Sequence, residues 1–126
     1  MKRKDLLVLD EKDHKAVQLF SDLGVSKNLA KTLMYISQVD ECRSADIEQA
    51  ADLRQPEVSI VMQELYKRGW VTRKNLKKEG KGRPTHIYIP TMQLSEIVKT
   101  FEQEKLNEVK TIKNDLLELK NLINSR

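Results

Sequence analysis

A chain of 126 residues with 33% charged residues and a formal net charge of +4 has room for one modest core and a solvated extension. No run approaches the roughly 18 apolar residues of a membrane span, and Leu6–Leu9, closed by Asp10 and Glu11, is too short for a secretory signal. The single cysteine, Cys42, excludes an internal disulfide, and the expected location is the cytoplasm.

In chain order, Leu6–Leu9 reads as a short strand or arm packed on the domain. Helical spacing begins at Lys12, with Ala16, Val17, Phe20 and Leu23 on one face and Gly24 as a C-terminal cap. Ser26 reads as the N-cap of a second amphipathic helix carrying Leu29, Leu33 and Ile36, which should stop near Val39. The cluster Asp40–Arg43 is polar and reads as a connection. Ser44 is expected to cap a third helix with Ile47, Ala50 and Ala51 inward. After the turn Asp52-Leu53-Arg54, Gln55-Pro56 restarts a helix, because proline suits a first turn. Its inward face is Val58, Val61, Met62 and Leu65, and Gly69 ends it. The period then changes. Trp70–Arg73 and Thr85–Ile89 are β-prone and flank a polar, glycine-containing loop, which makes a projecting hairpin. Trp70 and Tyr88 are expected in the core. From Gln93 onward there is neither proline nor glycine. Leu94, Val98 and Phe101 start an apolar stripe, and Val109, Ile112, Leu116, Leu119 and Ile123 continue it at coiled-coil spacing, with a stutter between the two sets.

The charge is unevenly spread. Residues 1–66 carry nine Lys/Arg against twelve Asp/Glu, residues 67–83 carry eight against one, and residues 84–126 carry six of each. The whole basic excess therefore sits in the hairpin and its approach, where it favours a polyanion.

Helix, turn, helix, basic hairpin is an order with a physical logic. A helix held at the right angle by its predecessor can read base edges in a major groove, and a basic hairpin beside it can grip the backbone. With the apolar face inward, Gln55, Pro56, Glu57, Ser59, Ile60 and Gln63 point outward as candidate reading residues; Glu57 would repel phosphate, so it is either a base reader or a structural contact. Arg73, Lys74, Lys77, Lys78, Lys81 and Arg83 are candidate backbone contacts, with Arg83 suited to a minor groove. Ser44 and Arg54 are assigned positioning roles.

The segments Ser44-Ala45-Asp46-Ile47, Arg54–Ser59, Leu65–Val71 and Gly82–Tyr88 resemble winged-helix regulators of the MarR and TrmB type, over about residues 27–90. The resemblance implies dimeric transcription factors on palindromic operators. Where full-length TrmB proteins carry a large C-terminal sensor domain, this chain has a coiled-coil-like helix. The expected architecture is mainly α with a small β-hairpin: a winged helix-turn-helix domain over residues 1–91 and a C-terminal dimerisation helix over residues 92–126. The expected partners are double-stranded DNA and a second copy of the chain, without a membrane.

The residues also admit a non-enzymatic protein-interaction adaptor, with the winged helix as scaffold and the coiled coil recruiting a partner; the acidic first half and Glu57 motivate it. No nucleophile–base pair or phosphate loop suggests an enzyme. His14 and His86 lack metal-ligand spacing, and no cofactor is expected. A redox role for Cys42 has no neighbouring histidine or second cysteine to support it.

Overall fold

The computed structural model describes residues 9–76 and 85–126. Of the expected wing, Lys77, Lys78, Lys81 and Arg83 lie outside the described residues, as does most of Leu6–Leu9. The chain divides into two compact units, Met1–Gln93 and Leu94–Arg126.

The first unit contains α1 (Glu11–Asp22), α2 (Lys27–Ile36), β1 (Cys42–Arg43), α3 (Ser44–Ala51), α4 (Gln55–Lys67), β2 (Val71–Leu76) and β3 (Thr85–Pro90). Local chemistry sets most of the helix ends. Asp10 caps α1: its carboxylate accepts from the Asp13 N–H at 2.9 Å, and the Asp13 carboxylate accepts from the Asp10 N–H at 3.0 Å. This reciprocal pair satisfies two donors that the helix cannot. Ser26 caps α2 through the Leu29 N–H at 3.1 Å, as expected. α1 and α4 end alike. Gly24 (φ 96°) and Gly69 (φ 78°) adopt left-handed backbone, and the following N–H reaches back across the turn, from Val25 to Phe20 and from Trp70 to Leu65.

Three boundaries depart from the sequence reading. α2 stops at Ile36, not near Val39. The hydroxyl of Ser37 and the amide of Gln38 both donate to the Met34 carbonyl, at 3.1 and 2.8 Å, satisfying the helix end with side chains. Ser44 is the first residue of α3 and not its cap. The cap position is Arg43, whose N–H donates to the Asp46 carboxylate at 2.9 Å, so the acidic residue of the pair is two positions past Ser44. Finally, Cys42–Arg43 is a short strand, paired antiparallel with β3 as Cys42↔Tyr88 and Arg43↔Ile87. The sheet order is β1-β3-β2, and β2 pairs antiparallel with β3 in the register Val71↔Pro90 to Leu76↔Thr85.

The core is built around α2. Leu29, Ala30, Leu33, Met34, Tyr35 and Ile36 are buried, with Val17 and Phe20 from α1, Ile47 from α3, and Val58, Val61, Met62 and Leu65 from α4. Each large aliphatic removed from water stabilises by about 1.5–3 kcal/mol. Thr32 is also buried, its hydroxyl donating to the Asn28 carbonyl at 2.9 Å. Trp70 and Tyr88 are in the core, as expected.

The second unit is α5 (Leu94–Asn124), a single helix of 31 residues and roughly 46 Å long. Ile97 and Phe101 are its buried residues, at 1% and 5% exposure, and the Lys105 ammonium lies 5.4 Å from the Phe101 ring centroid. Phe101 is thus not an open position of the apolar stripe, contrary to the sequence reading. Val98, Val109, Ile112, Leu116, Leu119 and Ile123 are all exposed, and so are Leu106, Leu117 and Leu122. No described helix is long and apolar enough to cross a membrane.

Candidate nucleic-acid interface

α3 and α4 are joined by a tight turn in which Asp52 takes left-handed backbone (φ 54°), a conformation that short polar side chains tolerate. Leu53 is buried beneath the turn, and its N–H donates to the Glu48 carbonyl at 3.0 Å. α4 then begins at Gln55, with Pro56 in its first turn. Burial of Val58, Val61, Met62 and Leu65 fixes the helix's rotation. The opposite face is Pro56, Ile60, Gln63 and Lys67, at steps of four, three and four, and Ile60 is 69% exposed. Gln55 and Ser59 are exposed beside it.

Glu57 has a different role from its neighbours. It is half-buried, and both carboxylate oxygens are engaged: Oε1 accepts from the Arg54 N–H at 2.9 Å and Oε2 from the Asn28 side-chain amide at 3.3 Å. Of the two roles open to it, the structure shows the structural one. Glu57 satisfies the start of α4 and ties it to α2. Arg54, assigned a positioning role, takes part through that backbone N–H, and its side chain is exposed. Ser44, the other residue assigned a positioning role, is half-buried at the start of α3.

Two grooves flank α4. The one on the sheet side has a volume of about 430 Å³ and is lined by Ser59, Met62, Gln63, Tyr66, Lys67, Arg73, His86 and Tyr88. None of these is a carboxylate, and Lys67 and Arg73 are cationic. The Arg73 guanidinium lies over the Tyr66 ring, 4.9 Å from its centroid, a stacking that holds a long cationic side chain in place. The groove on the other side, about 360 Å³, has Gly24, Val25, Ser26, Ile60, Glu64 and Arg68 in its wall. Its charges are paired: Arg68 meets Glu64 at 3.0 Å and lies 4.9 Å from the Trp70 ring centroid. Lys74 faces Glu41 at 3.9 Å, an exposed contact of small worth.

The structure therefore brings Gln55, Pro56, Ser59, Ile60, Gln63 and Arg73 onto or beside one face, whereas the Glu57 carboxylate is turned to Arg54 and Asn28. Tyr66, Lys67 and His86 belong to the same surface and were missed. Lys67 continues the exposed row four residues after Gln63 and was legible in that spacing. Tyr66, next to core Leu65, reads as packing, and a lone His86 carries no signal until the strand is placed. Among the described residues no three His, Cys, Asp or Glu side chains are grouped as metal ligands would be.

No protein-family model matches the chain, and no curated protein matches it in sequence. Solved structures do. A possible transcriptional regulator from Methanosarcina mazei Go1 superposes with a TM-score of 0.62 at 13% identity, over 86% of this chain and 85% of that one. TrmBL2, an archaeal chromatin protein whose structure is described as showing a novel mode of DNA binding, gives 0.58 at 20% identity over 90% of this chain. The match spans 46%, about half, of the TrmBL2 chain. A MarR family transcription regulator gives 0.52 at 14% identity, over 82% of this chain and 66% of that one. At these identities the likeness is one of fold: the chain has the winged-helix fold of MarR- and TrmB-type regulators.

Proposed function

We propose that the chain binds double-stranded DNA as a homodimeric transcription regulator, with α4 in the major groove and the β2–β3 hairpin on the backbone. The observation that carries this reading is the exposed row Pro56, Ile60, Gln63 and Lys67 beside a cationic groove whose described lining holds no carboxylate. Gln55 and Gln63 suit the donor–acceptor pair of adenine, and Ile60 suits a thymine methyl. Lys67 and Arg73 flank this row as phosphate ligands, which fix register without reading sequence. Lys77, Lys78, Lys81 and Arg83 continue the basic run in sequence and add backbone and minor-groove contacts. The likeness in fold to proteins described as transcriptional regulators, and to a chromatin protein described as binding DNA, supports the same reading. The exposed stripe of α5 supports pairing of two copies.

The test is fluorescence anisotropy of a random-sequence duplex at low salt. Binding at about micromolar protein or tighter, weakening steeply as salt rises, is the expected result. Changing Lys77, Lys78, Lys81 and Arg83 to Ala should flatten that salt dependence. No binding at about 10 μM protein would overturn the reading and favour the adaptor.

A further inference from the structure

The exposed stripe of α5 carries an ordered pattern of charge. Assigning Val109, Leu116 and Ile123 to heptad position a puts Ile112 and Leu119 at d, and all five are exposed. The flanking positions then sort by sign. Glu108, Asp115 and the uncharged Leu122 fall at g, and Lys113 and Lys120 fall at e. We propose that α5 pairs with α5 of a second copy of this chain as a parallel, in-register, two-stranded coiled coil. The inference deepens the dimeric part of the function proposed above and does not depend on DNA binding.

The argument turns on which residues face each other. In a parallel pair, each g residue faces the e residue five positions later on the partner. Glu108 then faces Lys113 of the second copy and Asp115 faces Lys120 of the second copy. Symmetry repeats both contacts, giving four attractive pairs. In an antiparallel pair, e faces e and g faces g. The e positions would then meet only lysine or leucine and the g positions only carboxylate or leucine, so no antiparallel register sets opposite charges face to face. The helix is self-complementary in one orientation only. Val109 and Ile123 at a with Leu119 at d suit two strands, whereas Leu116 at a and Ile112 at d do not, so the charge pairs and not the seam carry the inference. Glu108 already meets Lys105 of its own helix at 3.1 Å, an exposed contact that a second cation can share.

Arg126 occupies the next d position after Leu119 and Ile123, so Arg126→Cys reports orientation. In the parallel arrangement the two thiols meet at one end. In the antiparallel one they sit at opposite ends of a seam at least about 20 Å long, far beyond the roughly 4.4–6.8 Å between Cα atoms that a disulfide spans. Cys42 is buried and stays in place as an internal control. In a glutathione redox buffer at tens of micromolar protein, most Arg126→Cys chains should become a reducible dimer. Adding Lys113→Glu and Lys120→Glu turns four attractions into four repulsions and should raise the dimer dissociation constant about tenfold or more. Adding Glu108→Lys and Asp115→Lys to that variant should restore it, which separates charge pairing from a folding defect. The proposal is overturned by a dimer in the ultracentrifuge that does not cross-link, by a monomer at about 100 μM, or by failure of the fourfold charge swap to restore pairing. Cross-linking in a wild-type background that fails to bind DNA would support this inference and sink the regulator.

Discussion

The stacking of Arg73 on Tyr66 makes a quantitative demand on DNA affinity. If Arg73 neutralises one phosphate, its removal lowers the salt exponent of binding by about 0.9. At 0.1 M monovalent salt that is about 0.9 decades, an eightfold loss for Arg73→Gln; at 0.3 M it shrinks to about threefold. Tyr66→Leu leaves the charge in place but removes the ring 4.9 Å from the guanidinium. An exposed cation–π contact contributes about 0.5–1 kcal/mol, so Tyr66→Leu should weaken binding by about two- to fivefold while keeping nearly the full salt exponent. In the Arg73→Gln background the same change should cost almost nothing, because Tyr66 would then have no guanidinium to hold. The assay is anisotropy of a labelled duplex over a salt series with wild type, both single variants and the double variant. Strictly additive losses would refute the coupling, since they would mean Tyr66 meets DNA on its own account.

Three further outcomes test other parts of the structure. Glu57→Ala should lower unfolding stability by about 1 kcal/mol in denaturant melts, as loss of a helix-start interaction does, with little loss of DNA affinity; a large, sequence-dependent affinity loss at unchanged stability would return Glu57 to base reading. Tyr35 is fully buried, and its hydroxyl has no hydrogen-bond partner among the described residues, so burial pushes the hydroxyl's pKa up. Tyr35→Phe should therefore leave stability unchanged or raise it, whereas a loss of about 1–3 kcal/mol would reveal a satisfied hydroxyl. The Asp13 N–H donates to the Asp10 carboxylate and holds its pKa below the ordinary value of 3.8. A carboxyl depressed on folding contributes stability above its unfolded pKa and loses it as pH falls through the folded one. Thermal melts of wild type should thus weaken below about pH 4 more than those of Asp10→Asn, whose side chain can still cap but cannot titrate. Parallel pH profiles would count against this account of the cap.

How legible the fold was depends on how much of each element repeats. α4 spans several turns, so Val58, Val61, Met62 and Leu65 recur often enough to fix both its existence and its rotation, and all four are buried. β1 has two residues, too few for any period, and exists because Tyr88 and Ile87 of β3 offer it hydrogen bonds from far along the chain. The start of α3 was misplaced by one residue because a serine beside a helix suggests a cap, while the interaction formed is the Asp46 carboxylate with the Arg43 N–H. In α5 the stripe from Val109 to Ile123 is exposed, but the sequence pattern joins Leu94, Val98 and Phe101 to it. Ile97 and Phe101, four residues apart, are instead buried while Val98 is 43% exposed. A helical pattern gives the faces of a helix; what covers each face is tertiary information.

The same distinction sharpens the electrostatics. Counted in sequence, residues 67–83 form an undivided basic block. In the structure its described members have separate environments. Arg68 is taken up by Glu64 and Trp70, and Lys74 is partly offset by Glu41 across to the segment before β1. Lys67 and Arg73 remain together on the sheet-side groove, where no described lining side chain is acidic. Among the described residues, the positive charge next to α4 is therefore narrower than the sequence count and lies on the sheet side. A phosphate approaching from the sheet side meets Lys67 and the stacked Arg73, whereas one approaching past Gly24 and Ile60 meets an ion pair. On the proposed reading, that asymmetry would give α4 a preferred way round on a duplex before any base is read, since backbone contacts set orientation and base contacts then select sequence.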